Sequence, residues 1–121
     1  MKKRVAVIED NADNRLLVRA FLEDLYMLDE YASGTEALAG LSRDRPDLVL
    51  LDISLPEMDG VEVLRRLRDD PNLRSLPVLA LTAHAMSGDR ERYLRQGFDG
   101  YVSKPITDEE ALLAAIRQHL P

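Results

Sequence analysis

The stretch LVLLDISLPEMDGVEVLRRLRDDP, residues 48–71, decides the fold. Leu48 to Leu51 is apolar without alternation, and Asp52 follows it directly. A strand wetted on one side would alternate polar and apolar residues, so this one is expected to be covered on both faces. Pro56 and Asp59-Gly60 mark a loop, after which Val63, Leu64 and Leu67 recur at helical spacing until Pro71 forbids continuation. A buried strand, a loop and an amphipathic helix, in that order, are the first half of a strand–helix–strand crossover.

The same unit repeats on either side. Arg4 to Ile8 (RVAVI), Val78 to Leu81 (VLAL) and Gly100 to Val102 (GYV) read as further strands, while Met27 to Ala32 is partly polar and is expected at a sheet edge. Leu17, Phe21 and Leu25 recur at helical spacing, with Arg15, Arg19 and Glu23 turned outward. Ser33-Gly34-Thr35-Glu36 has capping-box spacing and precedes Ala37, Leu38 and Leu41. A third helix starts at about Gly60, and a fourth covers roughly Ser87 to Gln96 and ends at Gly97. The last opens on a second capping box, Thr107-Asp108-Glu109-Glu110, and carries Leu112, Leu113, Ile116 and Leu120. This alternation, with short connections and right-handed crossovers, predicts an α/β fold: a doubly wound parallel sheet of five strands with helices on both faces. No linker, repeat or low-complexity stretch interrupts residues 1–121, which are expected to form one domain.

Composition narrows the function. The chain is 45% hydrophobic and 31% charged, the profile of a globular protein rather than a disordered one. No apolar run approaches the roughly 18 residues of a membrane span, and Lys2, Lys3 and Arg4 precede too few apolar residues to head an export signal. Membrane insertion is not expected. With 22 acidic against 16 basic residues the net charge is −6, and no basic run or basic–aromatic cluster is present, so direct nucleic-acid contact is not expected either. The absence of cysteine excludes disulfides, thiolate metal sites and cysteine nucleophiles, and fits a cytoplasmic setting.

In a sheet of this kind, ligands bind outside the carboxyl ends of the strands. Those ends carry Glu9-Asp10, Asp52, Thr82 and, after the last strand, Lys104-Pro105. Three carboxylates, a hydroxyl and an ammonium are therefore expected to converge. Two like charges about 4 Å apart repel by about 4 kcal/mol at an effective dielectric near 20, and a hard divalent cation held by oxygen ligands relieves this. Mg2+ suits the set, because His84 and His119 are the only histidines and supply no softer site; His119, late in the last helix, reads as a surface or helix-dipole residue. A carboxylate beside such an ion is a competent phosphoryl acceptor, with Lys104 and the Thr82 hydroxyl placed to neutralise and orient the phosphoryl oxygens. Ala83 leaves the mouth open. Each residue alone is also compatible with a plainer role: Asp52 as a helix cap, Thr82 as a strand residue, Lys104 as a solvated loop charge.

At this point the residues resemble a known family. Asp52-Ile-Ser-Leu-Pro-Glu-Met-Asp-Gly60 is similar to the loop after the phosphoacceptor strand of response-regulator receiver domains in two-component systems. The opening VAVIEDN, the Thr82-Ala83 pair and Tyr101-Val102-Ser103-Lys104-Pro105 resemble the family's other signatures in the same order, across essentially the whole chain. The resemblance implies a strand order of 2-1-3-4-5 and phosphorylation of Asp52 by a sensor histidine kinase or histidine phosphotransfer protein. It implies Mg2+ on Asp10, Asp52 and the backbone carbonyl of Ser54, with Glu9 acting mainly through water. It further implies that Thr82 moves toward the phosphoryl group, that Tyr101 turns from exposed to buried, and that a face for a downstream protein partner is remodelled. Tyr101 read by itself is equally an aromatic packing in a short strand. By resemblance Ser54 and His84, two residues beyond Asp52 and Thr82, tune the lifetime of the phosphoryl group; read alone they are compatible with solvated neighbours. The Lys104–Pro105 bond is expected to be cis. Such a domain is not an enzyme toward other substrates and catalyses only its own phosphorylation and dephosphorylation.

Two departures stand out. The acid pair is Glu-Asp rather than Asp-Asp, and the turn Asp24-Leu25-Tyr26-Met27 lacks the usual glycine and is one residue short, which bears on the first helix's end and the edge strand's register. Three other readings compete. A flavodoxin-like cofactor binder would need a loop of free amides where Glu9 to Asn14 is acidic. A phosphate-ester hydrolase would carry an acid where Ser54 stands. A degenerate receiver used as a scaffold would have lost part of the acid set. Met1 close to the first strand suggests a stand-alone protein, while TAHAMSGD, residues 82–89, is similar both to small single-domain regulators and to hybrid kinases.

Overall fold

The computed structural model describes residues 2–83 and 89–120. The elements run β1 (Arg4–Ile8), α1 (Ala12–Leu22), β2 (Met27–Tyr31), α2 (Gly34–Arg43), β3 (Leu48–Asp52), α3 (Gly60–Asp69), β4 (Val78–Thr82), α4 (Asp89–Gln96), β5 (Gly100–Ser103) and α5 (Glu109–His119). The strands pair in parallel in the order β2-β1-β3-β4-β5. The predicted order and the parallel, doubly wound architecture are both borne out.

Successive strand residues divide between two cores, as the period of two demands. Ala6, Ile8, Val49, Leu51, Val78 and Ala80 face one way and pack with residues of α2, α3 and α4. Val5, Val7, Leu48, Leu50, Leu79 and Leu81 face the other and meet α1 and α5. All twelve are fully buried, which is why these strands carry no polar alternation. A fully buried Leu or Val contributes about 1.5–3 kcal/mol, so the central strands are the most firmly held part of the molecule.

Differences from expectation fall at element ends. α1 stops at Leu22, and a turn closed by the amides of Leu25 and Tyr26 on the Leu22 carbonyl, each at 2.9 Å, delivers the chain to Met27. Leu25 therefore lies beyond the helix and is exposed; the buried positions of α1 are Val18 and Leu22, with Leu17 and Phe21 packed beside them. The short turn leaves the register intact, since Met27 pairs with Arg4 and Tyr31 with Ile8. β2 is the expected edge strand, ending at Tyr31 rather than Ala32.

Ser33 caps α2 as predicted, accepting from the Glu36 amide at 3.1 Å, but Glu36 reaches back to the Ala32 amide rather than to that of Ser33. α5 is capped by Asp108, which accepts from the Ala111 amide at 3.1 Å, one residue later than the expected Thr107. A carboxylate at the cap also meets the positive end of the helix dipole, which a threonine cannot match. The described part of α4 begins at Asp89; the expected start at Ser87 lies outside the described residues. The helix ends before Gly97, whose φ of +111° is one that L side chains rarely adopt.

Candidate functional site

The carboxyl ends of β1, β3, β4 and β5 meet as the topology requires. Glu9 follows β1 and is fully buried, whereas Asp10 next to it is exposed. Asp52 closes β3 and is 2% exposed. One carboxylate oxygen from each of Glu9, Asp10 and Asp52 lies within 4.8 Å of the others. Lys104, one residue past β5, reaches across the sheet to bind two of them: its Nζ is 2.8 Å from Glu9 Oε1 and 3.0 Å from Asp52 Oδ2. Its backbone amide donates to the Thr82 carbonyl at 2.7 Å, fixing the end of β5 against the end of β4. The Lys104–Pro105 bond is cis, as expected.

Burial alone would lower the pKa of the Lys104 ammonium. Hydrogen bonds and charge from Glu9 and Asp52 outweigh it and hold the group above its ordinary 10.5. Asp52 is steadied a second time by the Ser54 amide, which donates to Oδ1 at 3.0 Å. Ser54 presents an exposed side chain beside the cluster, and Ala83 is exposed at its mouth. The loop that follows holds Glu57 at φ 63°, with the Met58 amide donating to the Pro56 carbonyl at 2.6 Å, a γ-turn geometry. It returns through Gly60, whose amide donates to the Ile53 carbonyl at 2.9 Å. A Cβ on Gly60 would stand 2.5 Å from the Asp52 carbonyl oxygen and 2.7 Å from Ile53 Cα, so α3 can start this close to Asp52 only with glycine there.

Glu9 is held in a way the sequence did not disclose. Its Oε1 also accepts from Asn14 Nδ2 at 3.0 Å, and its Oε2 from the Asn11 amide at 3.3 Å. Arg15, expected to point outward, donates to the Glu9 carbonyl at 2.6 Å. The amide a flavodoxin-like phosphate loop would leave free is thus directed at a carboxylate. Thr82 is 3% exposed, and its hydroxyl is 2.7 Å from that of Tyr93 in α4, another contact not foreseen. Tyr101 is half-buried with its ring 6.2 Å from that of Tyr93. His84 lies outside the described residues, and His119 sits in the last turn of α5 beside Gly100.

Comparison with known proteins bears on this arrangement. Residues 5–117 match the response regulator receiver domain family. The chain belongs to that family. The receiver is 46% identical over 108 residues, 88% of each chain, to the polar-differentiation response regulator DivK of Brucella anthropi. Its fold superposes on the chemotaxis protein CheY4 of Vibrio cholerae with a TM-score of 0.90 at 27% identity, covering 99% of this chain and 100% of the other. The receiver domain of a sensor histidine kinase from Pseudomonas aeruginosa PAO1, with a magnesium ion coordinated in its active-site cleft, gives a TM-score of 0.87 at 33% identity over 98% of both chains.

The receiver's residues fit such an ion. The donors are all oxygens, and Lys104 offsets only one of three carboxylate charges, leaving two for a divalent cation to balance. Asp10 is exposed and would leave such an ion room to keep water ligands. Among the described residues no helix is long and apolar enough to cross a membrane. Two clefts of about 380 and 400 Å³ flank Tyr101, one toward the start of α5 at Ile106 and Asp108, the other toward its end at Ala115 and His119.

Proposed function

We propose that Asp52 is the phosphoacceptor of this receiver, with residues 1–121 acting as one unit. The observation that carries the assignment is Lys104 drawn onto Glu9 and Asp52 together, beside a third carboxylate, at the carboxyl end of the sheet. Asp10, Asp52 and the Ser54 carbonyl would hold Mg2+, with Glu9 acting mainly through water, and the ion would supply positive charge for the incoming phosphoryl oxygens. An Asp52 oxygen attacks the phosphorus of a phosphohistidine on a sensor kinase or phosphotransfer protein. A P–O bond forms, the P–N bond breaks, and its electron pair stays on the imidazole nitrogen. Lys104 is already at Asp52 before transfer, so little reorganisation is needed to neutralise the product. Dephosphorylation by water at the same phosphorus is the receiver's other self-directed reaction; Ser54, exposed beside Asp52, and His84, two residues beyond Thr82 in sequence, are the residues proposed to tune it.

Thr82 and Tyr101 convert phosphorylation into a changed surface. The Tyr101 side chain stands between the two clefts of the β5–α5 face, which supports docking of a downstream protein there. A receiver served by a kinase of this class works in the cytoplasm, and cell fractionation tests that placement. The chemistry is tested by intact-protein mass spectrometry after incubation with acetyl phosphate, with and without Mg2+, beside Asp52→Asn. A phosphoryl adduct that needs Mg2+ and is lost in the variant is expected. An adduct that survives Asp52→Asn at the wild-type rate would overturn the assignment.

A further inference from the structure

We infer that Tyr93 is a positioning residue for the switch: its hydroxyl holds Thr82 in the resting state, and the phosphoryl group must take Thr82 away from it. The inference rests on the role proposed for Thr82. Both side chains are 3% exposed, and their hydroxyl oxygens stand 2.7 Å apart, the ideal separation for such a bond. Threonine is stiff about χ1, so its hydroxyl re-aims by changing rotamer as a unit and cannot follow a phosphoryl oxygen while keeping every earlier contact. A switch that moves Thr82 therefore includes the loss of the Tyr93 contact.

Packing does not by itself require a hydroxyl at this position. Tyr93 is the buried residue of α4, a helix of sequence DRERYLRQ, and its ring meets Phe98 edge-on at 6.2 Å. Phenylalanine would fill the same space. The hydroxyl is instead supported from outside: Arg92 Nη2 donates to it at 3.3 Å, its guanidinium lies 5.1 Å from the ring centroid, and it is itself tied to Asp89 at 3.3 Å. The ring also touches Tyr101, with centroids 6.2 Å apart at 50°. One side chain thus contacts both residues proposed to switch, and α4 is coupled to the phosphorylation site through it. Its worth is that of one buried hydrogen bond made only in the resting state, which biases the two-state equilibrium toward rest.

The test is titration of the intact chain with beryllofluoride in saturating Mg2+, read by fluorine NMR, for wild type, Tyr93→Phe, Thr82→Val and the double variant. Tyr93→Phe is expected to bind roughly two- to tenfold more tightly, the reach of one net hydrogen bond. The gain should vanish in the Thr82→Val background and persist with Thr82→Ser, which keeps the hydroxyl. Binding by Tyr93→Phe that is unchanged or weaker would overturn the inference, as would an equal gain in Thr82→Val, which would assign the effect to ring packing. The reading beneath it fails differently: Thr82→Val binding like wild type would remove Thr82 from the switch, and the Tyr93 latch with it.

Discussion

At the scale of single residues, the site is a problem in charge compensation. Glu9 and Asp52 are nearly without solvent, and Lys104 is shared between them at 2.8 and 3.0 Å. Removing one partner of a buried ion pair leaves a stranded charge and typically costs about 3–5 kcal/mol. Lys104→Met strands two carboxylates, so in EDTA we expect about 3 kcal/mol or more of lost stability. Asp52→Asn takes one anion out of a set of three opposed by one cation, while Lys104 keeps Glu9 and an amide oxygen can still accept from Ser54. It should unfold at an equal or slightly higher urea concentration than wild type. Urea unfolding of both variants without divalent ions checks the order. If Lys104→Met matched wild type, the ammonium would not be compensating the cluster.

At the scale of elements, the position of Asp52 depends on how closely α3 approaches the end of β3. A methyl group on Gly60 would press on backbone atoms of Asp52 and Ile53, which cannot rotate away. Gly60→Ala should cost about 1–3 kcal/mol and slow acetyl-phosphate uptake while leaving the helical circular dichroism in place. Wild-type melting and uptake together would show that the approach is not constraining. Gly60 was legible in the sequence as a helix start beside Asp59, but its contact with Asp52 was not, because closeness of two backbones has no compositional mark. The strands were legible because burial on both faces removes polar alternation. Leu25 continued the periodicity of α1 in sequence and lost it in space, since the turn closes on the Leu22 carbonyl. Among site residues, Glu9, Asp10, Asp52, Thr82 and Lys104 could be placed from strand ends alone. Which carboxylates Lys104 would pair with inside that cluster was not legible, and Tyr93 meeting Thr82 joins segments whose sequence spacing implies no contact. A lone tyrosine among the charges of DRERYLRQ was the one available hint.

At the scale of the whole molecule, the proposed Mg2+ site is expected to contribute to folding stability as well as to chemistry. Glu9 and Asp10 extend β1 and Asp52 ends β3, and these strands sit side by side within the sheet, flanked by β2 and β4. An ion bound there ties central strands together, so its binding energy should appear in global unfolding rather than in local fraying. At about 100 times its dissociation constant a ligand that binds only the folded state contributes about 2.7 kcal/mol. For a domain of this size that corresponds to a rise in Tm on the order of 10 °C. Asp10 separates this effect from ordinary salt screening of a chain with net charge −6. It is exposed and lies outside the Lys104 ion pairs, so Asp10→Asn should leave the Mg2+-free Tm unchanged or slightly raised while removing most of the rise with Mg2+. Calorimetric scans of both proteins across a Mg2+ series, at ionic strength held constant with KCl, measure it. An equal rise in the variant would mean that the ion acts on the molecule's overall charge and not at Glu9, Asp10 and Asp52.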